Sequence, residues 1–338
     1  MPIRFGIVGC GTIAPVHAAA IQRTDGAALV AATSQHPEQA QAFAAVHGID
    51  WTPDLPALLR RPDVDVVTIC TPSGLHAEMA CAAMLAGKHV VVEKPLAISL
   101  EQADAMLRTS RETGRALAVI SQSRFAPGVQ EVHAAVTAGR LGRLLLADLS
   151  MKSFRSQAYY DSAGWRGTWA LDGGGALMNQ GIHGIDLLVW LAGAPRTIYG
   201  YARTLVRRIE VEDTAVAVAE LEGGCLATII GTTSVTPGFA RHLALHGERG
   251  TIALEETRIV RYEIEGEPKR QIPPGAAVTA AQSPTALGRD EFTAQYRAVV
   301  ASLQEGRAPP VSGEEARRAM ATVLAIYEAS RSGRPVAF

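Results

Sequence analysis

The first 120 residues alternate continuously apolar runs with alanine-rich amphipathic segments, and few folds accept that rhythm. The runs are IRFGIVG from Ile3, ALVAAT from Ala28, VDVVTIC from Val64, KHVVVEK from Lys88 and ALAVI from Ala116. Between them, Pro15–Arg23, Pro37–Val46, Leu75–Ala86 and Ser99–Thr113 suit helices, with Pro37 at a helix start and Gly87 and Gly114 just past helix ends. Strands apolar on both faces belong in a parallel sheet covered by helices on each side, so an α/β doubly wound domain is predicted over residues 1–123.

From Arg124 the rhythm changes. A helix over Pro127–Ala138 and a strand over Leu144–Lys152 precede an irregular stretch through Trp169, and a second helix is predicted near Ala176–Ala192. Extended segments follow at Thr197–Leu205, Thr214–Glu220, Leu226–Ser234, Arg241–Leu245 and Thr251–Leu254. Strands without helices between them imply a mostly antiparallel open sheet, hence an α+β second domain over residues 124–338. Pro273–Arg289 reads as a surface loop, and helices over Asp290–Gln304 and Gly313–Ser330 close the chain.

Composition narrows the function classes. At 338 residues, 48% hydrophobic and with a formal net charge of -1, the chain is neither disordered nor equipped with a broad basic field for nucleic acid. Four scattered cysteines form no disulfide framework and no Cys-x-x-Cys pair, no metal-ligand set is read, and neither a signal peptide nor a membrane-spanning run is visible. A soluble cytoplasmic protein with a small-molecule ligand is the expectation.

The chemistry starts at the first turn. Gly9, Gly11 and Ala14 form G-x-G-x-x-A between the first strand and the first helix, where backbone N–H groups approach a pyrophosphate at the positive helix end. Strand two would normally end in an acid that accepts from the adenosine ribose. Here it ends in Ser34, Gln35 and His36. No carboxylate then repels a 2′-phosphate, so NADP is preferred over NAD, although no arginine stands ready to receive the phosphate.

CTPSGLH (Cys70–His76) and Glu93-Lys94-Pro95 follow two later strands, at the carboxyl edge where open α/β sheets collect ligands. Pro72 would turn the chain under a cofactor, and Lys94 is the more informative residue. In DGGGALMNQGIHGID, from Asp172, a helix would carry Asn179 and His183 four residues apart on one face, with Asp186 able to orient the imidazole. Each residue has a plainer reading, as a solvated lysine or as a histidine within an ordinary amphipathic helix.

Together GCGTIA, TPSGLH, EKP and GGGALMNQGIHGID, in that order across nearly the whole chain, resemble the Gfo/Idh/MocA oxidoreductase family. The resemblance implies a Rossmann domain, a second domain whose open sheet builds homodimers or homotetramers, and NAD(P)-dependent hydride transfer at a hydroxyl or keto carbon of a sugar, polyol or sugar nucleotide. It implies cofactor contacts at Gly9, Gly11, Thr12, Ile13, Ser34, Gln35, His36, Thr71, Pro72, His76, Glu93, Lys94, Gln122, Arg124, Trp165 and Arg166. Lys94, His183 and Asn179 become the catalytic set, with His183 as the proton acceptor. The family often carries Asp where this chain has Asn179, and an amide can hold a hydroxyl but take no proton. ALMNQGIH preceded by YYDSAGWRGTW is more similar to members acting on sugar nucleotides. A carbonyl or imine reductase, or a cofactor-binding sensor without turnover, are the alternatives, and retention of Lys94 and His183 disfavours the sensor.

Overall fold

The structure is a computed structural model and describes residues 1–272 and 289–338. It divides into two compact units, taken in turn.

The first unit is built on a six-stranded parallel sheet in the order β3-β2-β1-β4-β5-β6. Its strands are β1 (Ile3–Val8), β2 (Ala27–Thr33), β3 (Asp50–Thr52), β4 (Val66–Ile69), β5 (His89–Val92) and β6 (Leu117–Val119). The crossover helices are α1 (Ala14–Gln22), α2 (Pro37–His47), α3 (Leu55–Leu59), α4 (His76–Leu85) and α5 (Leu100–Thr113). Every residue of β4 is buried, as a central parallel strand requires. Ser99 caps α5 by accepting from the Gln102 amide at 3.3 Å. β3 escapes sequence reading because Asp50-Trp51-Thr52 is short, polar and exposed at the sheet edge.

The strand order reverses between β1 and β4, so a crevice opens at their carboxyl ends. The glycine turn follows β1, Thr71-Pro72 follows β4 and Lys94 follows β5. All three motifs therefore share one edge of one sheet.

A division of the chain at 123/124 does not describe the C-terminal part. The first unit takes Met1–Gln122 and regains the chain at α9 (Arg289–Gln304) and the opening of α10 (Gly313–Ser332), through Arg317. The reason is apolar: α9 buries Phe292, Tyr296, Val299 and Val300, and packs along α1. The surface loop expected over 273–289 lies outside the described residues except where Arg289 opens α9.

The second unit begins at Ser123 and includes everything from Arg318 to Phe338. Its eight-stranded sheet runs β13-β12-β11-β7-β10-β9-β8-β14. The strands are β7 (Leu144–Lys152), β8 (Pro195–Arg203), β9 (Thr214–Leu221), β10 (Leu226–Thr232), β11 (His242–Gly247), β12 (Gly250–Glu255), β13 (Arg258–Ile264) and β14 (Val336–Ala337). All pairings are antiparallel except β7 with β10, where Leu226 lies opposite Leu146. α6 (Pro127–Thr137) and α8 (Ile182–Ala192) cover one face, and α7 (Gln157–Asp161) lies in the long connection after β7.

The alternation along β9 is clean: Ala215, Ala217 and Ala219 are buried, whereas Val216 and Val218 on the other face are about half exposed. Among the described residues no helix is long and apolar enough to cross a membrane.

Candidate active site

In the first unit the turn after β1 is shaped for a phosphate group. Gly9 has φ +89, and a Cβ there would press on the Cys70 carbonyl at 3.0 Å, so the turn admits only glycine. Gly11 is different: a Cβ there would meet nothing within 4 Å, so internal packing does not demand glycine and the space is left for a ligand. Thr12 and Ile13 lead into α1, whose first turn has no side-chain cap and no acid. The Ala14, Val16 and His17 amides donate back to the Gly11 and Ile13 carbonyls, so an anion would meet the positive end of the helix and not free helix amides. Gln122 adds an independent sign, because its Oε1 is buried without a hydrogen-bond partner. These residues fit a bound dinucleotide.

The end of β2 carries more charge than its own letters suggest. Ser34 Oγ donates to Gln39 Oε1 at 3.3 Å, and exposed His36 lies 3.8 Å from the Glu38 carboxylate in the first turn of α2. That acid lies outside the strand-end triplet, so reading the triplet alone misses it.

His76, expected to touch a cofactor, is 1% exposed, and its ring nitrogens face the carbonyl oxygens of Pro95 at 2.9 Å and Thr71 at 3.0 Å. It is a strut between the TPSGLH and EKP motifs. Burial pulls its pKa below the usual histidine value, against the two carbonyls, which both accept only from the protonated ring. Thr71 and Pro72 remain half-buried at the edge of the same crevice. Lys94 is half-buried, and Glu93 is buried beneath it with Oε2 accepting from the Lys94 amide at 3.1 Å.

In the second unit the helix expected from Ala176 is two pieces. Ala176–Gly181 is a π-helical turn and α8 begins only at Ile182, so Asn179 and His183 do not share one regular α-helical face. The cause lies in the preceding glycines. A Cβ on Gly175 would land on the Glu212 carbonyl, and the Gly175 and Leu177 amides donate to the two Glu212 carboxylate oxygens at 2.9 and 2.7 Å. Tyr327 donates to the same carboxylate at 2.8 Å. Burial pushes Glu212 up to about 7 against the pull of those three hydrogen bonds.

Asn179 is oriented from below. Its Nδ2 donates to Asp172 Oδ1, while Asp172 Oδ2 accepts from the Gly167 amide at 2.8 Å. That bond fixes which way the amide points and leaves Oδ1 as the acceptor on the other side, where Gln180 Nε2 donates at 3.2 Å. His183 is half-buried on the first turn of α8.

Asp186 has a partner that the i,i+3 spacing did not suggest. Arg124 Nε and Nη2 donate to its two oxygens at 2.8 and 2.6 Å, with both side chains buried. The Arg124 guanidinium also lies 5.1 Å from the Trp190 ring, which stacks on His133. Arg166 and Trp165 are half-buried beside Tyr159: the Arg166 guanidinium sits 4.4 Å from the Tyr159 ring and Nη1 donates to the Tyr159 hydroxyl at 2.6 Å. Arg155, buried, lies 5.6 Å from the same ring and donates to Gln180 Oε1 at 2.9 Å.

Asp172, Glu212, Tyr327 and Arg155 were not singled out by sequence reading. Only Asp172, at the head of the glycine run, stood next to a motif that could have drawn attention to it.

The model of the oxidoreductase family with an NAD-binding Rossmann fold matches residues 3–121, and that of the GFO/IDH/MocA C-terminal domain matches residues 129–253. Inositol 2-dehydrogenase 2 of Saccharopolyspora erythraea is 30% identical over 277 residues, covering 79% of this chain and 78% of its own length. The chain belongs to the Gfo/Idh/MocA oxidoreductase family. Among other Gfo/Idh/MocA relatives, inositol 2-dehydrogenase of Rhizobium meliloti is 28% identical over 269 residues, 78% of this chain and 79% of its own. The WlbA dehydrogenase of Bordetella pertussis, solved with NADH and UDP-GlcNAcA, superposes with a TM-score of 0.90 at 35% identity over 100% of this chain and 99% of its own. This Gfo/Idh/MocA chain is thus an oxidoreductase with an NAD-binding Rossmann domain.

Proposed function

We propose that the protein is a dehydrogenase that oxidises a secondary hydroxyl of a carbohydrate-like substrate, with Lys94, His183 and Asn179 as its reacting set. The observation that carries this reading is the retention of both chemical ends. A lysine stands at the carboxyl end of β5 on the edge that bears the glycine turn, and a histidine stands on the helix that follows the glycine run, in a chain whose relatives are named dehydrogenases and reductases.

The nicotinamide supplies the hydride-accepting carbon when bound. His183 takes the hydroxyl proton, a role suited to an imidazole whose ordinary pKa is near 6.5. Lys94, as a cation, stabilises the alkoxide charge as it develops. Asn179, held by Asp172, presents its amide oxygen to a substrate hydroxyl. Run backwards, the same residues reduce a carbonyl.

The substrate reading extends to sugar nucleotides. Arg155 and Arg166 place two guanidinium groups on the ring of Tyr159, next to Gln180 and Asn179, and that positive pair favours a substrate carrying an acidic or phosphate group. The relative solved with UDP-GlcNAcA supports the same class. Incubating the protein with NAD⁺ or NADP⁺ and a panel of neutral sugars, polyols, sugar acids and sugar nucleotides, read by absorbance of the reduced cofactor, tests it. Turnover of an acidic sugar or sugar nucleotide is expected, and no turnover across the panel with either cofactor counts against the enzyme reading.

For the cofactor, exposed Gln35 and His36 are available donors for a 2′-phosphate and favour NADP, whereas Ser34 is buried with its hydroxyl given to Gln39, and Glu38 opposes a phosphate. For assembly, we propose a homodimer or homotetramer through the uncovered face of the second sheet, where Tyr201, Val216, Val218 and Leu226 are each about half exposed. Ile229 of the same strand as Leu226 lies on the covered face, at 1% exposure. Light scattering at micromolar concentration is expected to give a multiple of the chain mass. A cytoplasmic location completes the proposal, supported by four cysteines that are free of disulfides.

A further inference from the structure

Behind Lys94 runs a closed line of buried polar groups that the proposed reaction does not use directly. Thr68 Oγ1 on β4 lies 3.3 Å from the Tyr296 hydroxyl on α9, and that hydroxyl lies 2.9 Å from His17 Nδ1 on α1. His17 Nε2 lies 2.8 Å from Glu93 Oε1, and Glu93 Oε2 accepts from the Lys94 amide. Thr68 and His17 are 0% exposed, Tyr296 1% and Glu93 7%.

A carboxylate only accepts, so Glu93 as the terminal acceptor gives every hydrogen one direction. His17 Nε2–H donates to Glu93, Nδ1 then accepts from Tyr296, and the Tyr296 oxygen accepts from Thr68. The rings are also fixed laterally: His17 meets Phe292 and Tyr296 edge-on, at centroid distances of 5.2 and 5.9 Å, and Tyr296 meets Phe5 in the same way at 5.6 Å.

We infer that His17 and Tyr296 are positioning residues for Lys94, acting through Glu93. The Glu93 carboxylate holds the backbone amide of the lysine, and the His17–Tyr296 pair holds the carboxylate in one rotamer. With Glu93 buried, loss of either partner lets the carboxylate rotate or draw a new donor. His17 is also the fourth residue of α1, whose N-terminus follows the glycine turn. The line therefore joins the cofactor-facing helix to the lysine through side chains, within one unit. α9, supplied from far along the chain, closes it.

The inference rests on the proposed role of Lys94, and its test separates the two. Lys94 and Lys88 are labelled competitively with trace acetic anhydride and quantified by mass spectrometry in the wild type, Tyr296→Phe and Glu93→Gln. Lys88 is the internal standard, since it donates to the Arg61 and Val64 carbonyls away from the line. Tyr296→Phe keeps the ring and removes only the hydroxyl. Both variants are expected to change Lys94 labelling about two- to tenfold, the range set by losing one net hydrogen bond, with Lys88 labelling unaltered, and Tyr296→Phe is expected to bind NADH as the wild type does. With an active substrate, kcat of Tyr296→Phe falls by a similar factor while its KM for the cofactor holds. Unchanged Lys94 labelling in both variants, or a parallel rise at Lys88, overturns the positioning role. Wild-type kcat in Lys94→Met would instead overturn the reading of Lys94 and leave the labelling result to decide the line.

Discussion

Tyr327 donates its hydroxyl to Glu212 Oε1 at 2.8 Å, and both side chains are buried beneath the turn that leads to Asn179 and His183. The two residues lie 115 positions apart, and together they pin the Gly175–Leu177 backbone that makes the π-helical turn possible.

This pairing has a pH signature. Burial raises Glu212 to about 7, above an unfolded value near 4.5, so between those values the folded state holds a proton that the unfolded state has lost. Glu212 therefore stabilises fully below about pH 4.5 and loses that contribution as pH rises through about 7. At 1.36 kcal/mol per unit the loss is on the order of 3 kcal/mol. Urea unfolding at pH 5 and pH 8 should show a larger fall for the wild type than for Glu212→Gln, whose side chain does not titrate. Equal falls would mean that Glu212 keeps an ordinary carboxylate pKa.

The Arg124–Asp186 pair makes a second, independent prediction. Side-chain exposures of 4% and 7% put both charges out of water, so removing one strands the other. Asp186→Leu should cost about 3–5 kcal/mol by urea unfolding, while Arg124→Met with Asp186→Leu should cost markedly less. A double variant no better than the single would mean that the pair stabilises beyond charge compensation.

Asn179→Asp restores the residue that the family often carries, and it is expected to be harmful here. The Asp172 carboxylate stands at hydrogen-bond distance from the Asn179 side chain, so a second carboxylate makes a like-charged pair and one of them is forced to keep a proton. Turnover should fall as pH rises from 6 to 9, and melting temperature should fall more steeply than the Glu212 titration alone lowers it in the wild type. A variant as active and as stable as the wild type at pH 9 would show that Asp172 does not set the amide's orientation.

How much of this was legible follows from distance along the chain. β7 was placed at Leu144–Lys152 to the residue, and the glycine turn, EKP and the His183 helix stood where short-range pattern put them, because each is fixed by neighbours within a few positions. β13 was missed because RIVRYEI interleaves Arg261 and Glu263 with its apolar residues and follows a turn with no glycine or proline. The π-helical turn was read as plain helix, since its cause is a carboxylate on Glu212. His17 and Tyr296 are 279 positions apart, and α9 had no local feature assigning it to the first unit. What fixes the motifs in place is thus carried by partners that no spacing rule connects.

The cofactor choice turns on Glu38. An exposed carboxylate near a 2′-phosphate contributes only about 0.2–1 kcal/mol, so Glu38→Gln should raise the affinity ratio of NADPH to NADH by about 1.4- to fivefold in a fluorescence titration. An unchanged ratio would place the adenosine ribose elsewhere than the β2 end.

His183 separates catalysis from architecture most directly. As proton acceptor it must be neutral before hydride leaves, so kcat/KM should fall as pH drops below its free-enzyme pKa. His183→Asn should remove that acid limb and cost about 10²–10⁴-fold in rate, the usual worth of a positioned base. A structural histidine on the first turn of α8 would instead lower the melting temperature and leave the pH profile of the folded fraction as it was. The two outcomes differ in kind, because loss of packing scales the whole profile by one factor whereas loss of a titrating base changes its shape. Profiles of wild type and mutant, with thermal melting as the folding control, therefore decide whether His183 takes the proton, and an acid limb that survives the substitution removes it from the mechanism.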